Sequence, residues 1–231
     1  MSAGAFADRE TVLACLDAIE AACDQLQDCS FDGFSCAELV AVLTRREVLA
    51  RRAPTVDHRI LARMVTAGNP GELGAASLST ALVERLRISP TEANRRLDNA
   101  AELGPRTTVT GQPLEPILPN LAVAQAAGRI GAEHVGIARK AYAKIPAAVA
   151  EPDRARAERD LAQLATHYGP RAFQKLADYL VAVLDPDGDF TERERQARRG
   201  LRMSRQDPDG TSALAGRITP ELRATLEPLL A

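Results

Sequence analysis

The chain has 231 residues, 45% of them hydrophobic, with 29 Lys and Arg against 31 Asp and Glu. That is enough apolar material for one large domain or two small ones, and a net charge of −2 excludes a generic nucleic-acid mop. Aromatic residues make up only 3% and Trp is absent, so the core must come from Ala, Leu, Val and Ile, a mixture that favours closely packed helices.

Charge is unevenly spread. Residues 1–44 hold eight acids and one base, whereas residues 45–98 hold ten Arg and six acids. An Arg-rich centre beside an acidic start fits a DNA-facing patch, and it fits equally an intramolecular partner for the acidic helix. The start is acidic where a signal peptide is basic, and no apolar run approaches the roughly 20 residues of a membrane span. The expectation is a cytoplasmic protein without membrane contact.

Val12, Leu16, Ile19, Cys23 and Leu26 recur at alternating intervals of four and three. They mark an amphipathic helix with a narrow seam, suited to a helical partner in the same chain or to a homodimer through residues 12–26. Cys15, Cys23, Cys29 and Cys36 lack the close paired spacing of a zinc finger, so they read as small buried thiols.

After a loop with Phe31, Gly33 and Phe34, Ser35 and Glu38 form a capping box. The helix that follows carries Leu39, Val42, Leu43 and Leu49 and is decorated by Arg45, Arg46, Arg51 and Arg52. Pro54 breaks or kinks it. Periodicity resumes through Val56, Ile60, Met64 and Val65 and stops at Gly68-Asn69-Pro70-Gly71.

Residues 82–97 carry the strongest pattern: a helix, a three-residue turn and a second helix. Leu82, Val83 and Leu86 lie on one face of the first helix, Ile88 fills the turn, and Ala93 and Leu97 continue the buried face. Ser89 and Glu92 spell a reciprocal capping box, with Pro90 at the first helical position. This is the layout of a DNA-binding helix-turn-helix, whose second helix enters the major groove. Arg87 stands where such turns often place Gly. The outward residues of the second helix include Thr91, Asn94, Arg95 and Asp98. The same stretch also reads as an ordinary hairpin inside an all-helical core.

After Leu103-Gly104, four prolines from Pro105 to Pro119 mark an extended connection, a candidate divide between lobes 1–104 and 120–231. Helices are expected at 120–128 and 132–144, the turn between them echoing the first with Ile130 in the place of Ile88. Two more follow near 153–167 and 170–184. Asp185 to Asp189 resembles a calcium loop, but its Gly is misplaced and Gln196 stands where a Glu is needed, so it reads as a turn. Short strands at 199–206 and 211–218 flank Asp207-Pro208-Asp209-Gly210, and a last helix begins near Thr219-Pro220-Glu221. The fold class expected is mainly α: a multi-helix bundle with an internal helix-turn-helix-like hairpin and a short carboxy-terminal β-hairpin.

The segments HRILARM (58–64), GELGAASL (71–78), RISPTEANRRLDNAAELGPR (87–106), LPNLAVAQAAGRIGAEHV (118–135), LDPDG (184–188) and DGTSALAGRITPELRATL (209–226) occur in this order. Together they resemble the actinobacterial family built on domain of unknown function 222, including the mycobacterial 13E12 repeat proteins. Members commonly carry a carboxy-terminal His-Asn-His endonuclease domain, so the resemblance implies a DNA-engaging role by company. The only histidines are His58, His134 and His167, and no Cys follows Cys36, so no nuclease residue carries over. The nuclease half is expected to lie outside these residues.

The three histidines read as structural, His167 as a contact with a helix end. No catalytic residue, metal ligand or cofactor is assigned. The functional expectation is a non-catalytic DNA-binding module. Thr91, Asn94 and Arg95 would face base edges of double-stranded DNA, with Arg87, Arg96, Arg45, Arg46, Arg51 and Arg52 on phosphates. The alternative is a helical interaction or dimerisation scaffold without DNA contact.

Overall fold

A computed structural model describes residues 9–108, 110–184 and 199–230. The chain divides into two compact units, Met1–Ala50 and Arg51–Ala231.

The first unit contains α1 (Arg9–Asp28) and most of α2 (Cys36–Arg52). The Ser35 capping box forms as expected: the Ser35 amide donates to Glu38 Oε2 at 2.8 Å, and the Glu38 amide approaches Ser35 Oγ at 3.4 Å. Hydrogen bonds from Ser35 hold the Glu38 carboxyl below its usual pKa. Neither helix buries a residue. The cysteines are therefore not the buried thiols expected from their size: Cys15, Cys23, Cys29 and Cys36 are all free and exposed. Apolar character puts a thiol on a helix face, but burial requires a covering layer.

The second unit holds the last residues of α2 and then α3 (Pro54–Ala67), with Pro54 at its first position, a 3-10 turn (Pro70–Leu73), α4 (Leu78–Leu86) and α5 (Pro90–Leu103). Leu61, Leu82, Ala93 and Ala100 form their shared core, with Met64, Val83, Ile88 and Leu97 packed around it. Ala93 is fully buried. A methyl group at that point lets α5 lie close to α3, the partner it touches most.

The proline-rich connection is not structureless. β1 (Arg106–Thr107) and β2 (Pro113–Leu114) pair antiparallel, Arg106 opposite Leu114. The turn between them uses Gly111 at φ 84°, a left-handed conformation that glycine adopts freely.

The larger core lies among α6 (Pro119–Ala126), α7 (Ala132–Tyr142), α8 (Glu151–His167) and α9 (Pro170–Leu184), built on Leu118, Leu121, Ile130, Val135, Leu161 and Phe173. No side chain at the start of α6 caps it. Instead Glu158, only 2% exposed, reaches across from α8. Its carboxylate accepts from the Leu121 amide at 2.9 Å and from Asn120 Nδ2. A negative group at a helix start satisfies amides that have no intrahelical partner. The turn before α7 does place Ile130 in the core, but α7 is central to this bundle and buries His134, Val135, Ala138 and Ala141. It packs on both α8 and α9, so the turn that echoes the first serves the core of this bundle.

The suspected calcium-like turn at Asp185–Asp189 lies outside the described residues. Beyond it, β3 (Gly200–Met203) and β4 (Leu214–Arg217) form an antiparallel hairpin with Gly200 opposite Arg217 and Met203 opposite Leu214. α10 (Pro220–Leu230) follows. The fold is thus mainly α with a short carboxy-terminal β-hairpin, as the periodicities imply. Among the described residues, no helix is long and apolar enough to cross a membrane.

Candidate functional site

The α4–α5 hairpin is defined by its caps. Ser77 opens α4 by accepting from the Thr80 amide at 3.1 Å. α4 ends at Arg87 with φ 55° and ψ 43°. Among the described residues, Arg87 is the only non-glycine with positive φ. Such a conformation reverses the chain in very few residues, at a steric cost that Gly would avoid. Ile88 then tucks its side chain against the core, and Ser89 caps α5 through the Glu92 amide at 3.1 Å.

The capping box at Ser89 is only half formed. The Glu92 carboxylate does not turn back to the Ser89 amide. It lies forward along the helix, where Arg95 Nε and Nη2 donate to it at 2.7 and 2.6 Å and Arg96 Nε donates at 2.8 Å. Two guanidiniums outcompete one backbone amide for the same anion, because charged donors bind it more strongly. The hydrogen bonds from Arg95 and then Arg96 lower the Glu92 carboxyl to a pKa of about 2. The same pairing raises Arg95.

Along α5, Ala93, Asn99, Ala100 and Leu103 face inward. Thr91, Asn94, Arg95 and Asp98 are exposed. Spacings of three, four and seven put these four on one stripe, as expected for the outward face. Arg95 keeps 44% of its side chain exposed despite its ion pair. Asn94 is tied to α4, since Ser79 Oγ donates to its Oδ1 at 2.7 Å. Arg87 is exposed in the turn. Arg96 is half-buried between Glu92 and Asp57, with the latter 4.0 Å away.

The remaining candidate arginines are distributed differently. Arg45 and Arg46 belong to the unit Met1–Ala50, whereas Arg51 and Arg52 belong to Arg51–Ala231. Arg51 is half-buried, and its Nη1 donates to the Arg129 carbonyl at 3.4 Å. Arg52 is exposed.

Behind the stripe lies a polar network that pattern reading missed. Arg139 of α7 donates to Glu102 through Nε at 2.6 Å and Nη2 at 2.8 Å, and to Asn99 Oδ1 at 2.8 Å. The Glu102 pairing raises Arg139 above its usual pKa. The network fixes α5 to the second core. Its partners stand 37 and 40 residues apart, so no local spacing announces them. The Glu92–Arg95–Arg96 spacing, by contrast, is a visible i, i+3 and i+4 signal.

The histidines have structural surroundings. His58 is 4% exposed, and burial lowers its pKa. A Cβ added at Gly104 would meet the His58 carbonyl at 3.0 Å and the Ala100 carbonyl at 2.4 Å, so the end of α5 can approach α3 only as glycine. His134 Nε2 is 3.0 Å from the Tyr168 carbonyl, and its ring stacks on Phe173. His167 Nδ1 lies 2.8 Å from the Gln163 carbonyl in the last turn of α8, the helix-end contact expected of it. Among the described residues, no cluster of three His, Cys, Asp or Glu is placed to hold a metal.

No solved structure matches the chain. Two uncharacterized proteins of Mycobacterium tuberculosis strain H37Rv are each 40% identical to it. One aligns over 96% of this chain and 49% of its own length, the other over 95% and 48%. An uncharacterized protein of Mycobacterium bovis is 41% identical over 96% of the chain and 49% of its own length. The chain thus spans about half the length of the curated relatives it matches. Residues 40–231 match the family described as Domain of unknown function (DUF222). With that match covering both cores and the α4–α5 hairpin, the chain belongs to the DUF222 family.

Proposed function

We propose that α3–α5 is a duplex-DNA-binding module that targets a longer protein, and that it is not catalytic by itself. The observation that carries this reading is the stripe Thr91, Asn94, Arg95 and Asp98, held out from a three-helix core by a tight turn. A helix presented this way offers hydroxyl, amide and guanidinium groups to base edges, while Arg87 and Arg52 supply charge for phosphates. Arg95 reaches DNA by exchanging the Glu92 carboxylate for a guanine edge or a phosphate, both of which accept the same forked donor. In this reading the rest of a longer family member, such as the His-Asn-His nuclease that the resemblance implies, acts where the module docks. Its place of action is the cytoplasm, with the chromosome.

The test is fluorescence anisotropy of the protein with labelled random duplexes at two salt concentrations. Affinity should fall steeply with salt, because each neutralised phosphate releases counterions. No binding, or binding indifferent to salt, overturns the proposal. A second reading, an interaction scaffold, is favoured by the exposed seam of α1 and is developed next.

A further inference from the structure

α1 is a helix of 20 residues with no buried residue. Val12, Leu16, Ile19 and Leu26 are 49%, 55%, 61% and 57% exposed, and Cys23 between them is exposed as well. Most helical stability in proteins comes from the packing of an amphipathic face, which α1 leaves exposed. The alternating four and three spacing assigns Val12, Ile19 and Leu26 to heptad position d and Leu16 and Cys23 to position a. We infer that α1 is a self-association seam that pairs in parallel, in register, with α1 of a second copy of this chain. This goes beyond the DNA reading and does not rest on it.

Charge favours the same partner and the same direction. Glu10, Asp17 and Asp24 all occupy heptad position b, away from the seam. Of the acidic residues only Glu20, at position e, flanks it, and Arg9, the first residue of the helix, falls at position a. In a parallel pair position e meets position g of the other helix, so Glu20 faces Cys15 of the second copy. In an antiparallel pair a meets d and e meets e, so with Ile19 against Cys23 of the second copy Glu20 would lie beside Glu20 across the seam. Leu13, also at position e and 51% exposed, widens the apolar face. Leu16 at a with Ile19 at d shifts the preference toward three or four strands, and the a–a and d–d contacts are the same in each parallel form. The exposed apolar side chains amount to on the order of 500 Å² per copy, so association can remove up to about 1,000 Å², which reaches the threshold for specific association.

The test uses the full chain. Sedimentation equilibrium at high micromolar concentration should give a mass at least twice the 24.7 kDa of one chain. Leu16→Asp with Ile19→Asp, both at exposed positions, should weaken association by about 30-fold or more, the effect expected of central interface residues. A variant with Cys15→Ser, Cys29→Ser and Cys36→Ser, which retains Cys23 alone, should be linked by glutathione disulfide. Two thiols lose two electrons and two protons to the oxidant, because parallel register sets Cys23 against Cys23. A monomeric parent overturns the inference, as does association that survives the double substitution. Association without the Cys23 link overturns the parallel register. DNA binding by a strictly monomeric protein would sink this inference and leave the proposed function standing.

Discussion

Arg95 and Glu92 form a two-bond fork on α5, with Nε 2.7 Å and Nη2 2.6 Å from the carboxylate oxygens. The residue expected to read bases is thus held by an anion of its own helix in the free protein. Breaking the fork is a small local event, since an exposed pair of this kind contributes under about 1 kcal/mol to stability. Reading DNA then substitutes one acceptor for another.

The pH dependence of this fork has a defined sign. The folded-state pKa of Glu92 is lowered from 4.5 to about 2. Its contribution is therefore fully present above pH 4.5 and is lost as pH falls toward 2. Glu92→Gln should reduce stability by less than about 1 kcal/mol at neutral pH. Urea unfolding of parent and variant should converge at the acid end of that window. A difference that grows on acidification would refute the assignment.

Arg95→Ala should weaken duplex binding by about tenfold or more, as expected for loss of a bidentate base or phosphate contact. Far-UV circular dichroism should be unchanged, because the Arg95 side chain is 44% exposed and its hydrogen bonds go to Glu92 on the same helix. Glu92→Gln should act oppositely and tighten binding, since it frees the guanidinium and removes a charge facing the phosphates. Equal affinities for parent and Arg95→Ala in the anisotropy titration would remove Arg95 from the interface.

Arg87 separates backbone from side chain. Its left-handed φ of 55° suits Gly, so Arg87→Gly should leave stability within about 0.5 kcal/mol of the parent, the relief of strain offsetting the flexibility gained by the unfolded chain. Arg87→Val should lose about 1–3 kcal/mol, because a β-branched residue resists that conformation. If the guanidinium also meets phosphate, Arg87→Gly loses DNA affinity without losing stability. Thermal melts and anisotropy on the same samples distinguish the two effects.

Ala93 and Leu97 set the packing of α5. Ala93 is fully buried, so Ala93→Leu should overpack the α3 contact and lose about 1–3 kcal/mol or more. Leu97 is half-buried at the rim of that core. Leu97→Ala should therefore fall at or below the lower end of the range of roughly 2–5 kcal/mol for a fully enclosed leucine. Leu82→Ala, at 5% exposure, should exceed it. Denaturant midpoints at constant m-value give the ranking.

Glu158 is the capping group for α6 from another helix. Glu158→Ala should destabilise by about 1–3 kcal/mol, because it strands the buried Leu121 amide and removes the acceptor of Asn120 Nδ2. Hydrogen exchange should quicken first at the start of α6. Unchanged protection there would show that the cap is dispensable.

Local signals in the chain were enough for much of this architecture. Ser35 and Ser89 each mark a helix start because a hydroxyl can satisfy an orphan amide wherever the next residues turn helical. Pro54 and Gly104 mark ends for equally local reasons, and the stripe on α5 follows from a period of 3.6. Family membership was legible too, because several long motifs recur in order. The short pairing of β1 with β2 escaped notice, since two-residue strands leave almost no alternation to detect.

Burial and partnership were decided only by the tertiary structure. Cys23 and Ala93 carry similar apolar patterns, yet one is exposed and the other enclosed, because only α5 has a helix laid over it. Glu92 turns to two arginines instead of its capping amide, a competition settled by charge and side-chain direction. Glu102 with Arg139, and Glu158 with Leu121, meet across nearly forty residues of chain. A sequence specifies which faces are apolar and where helices start through interactions a few residues long. Which of those faces is covered, and which charge finds which partner, depends on contacts formed only when distant segments are packed together.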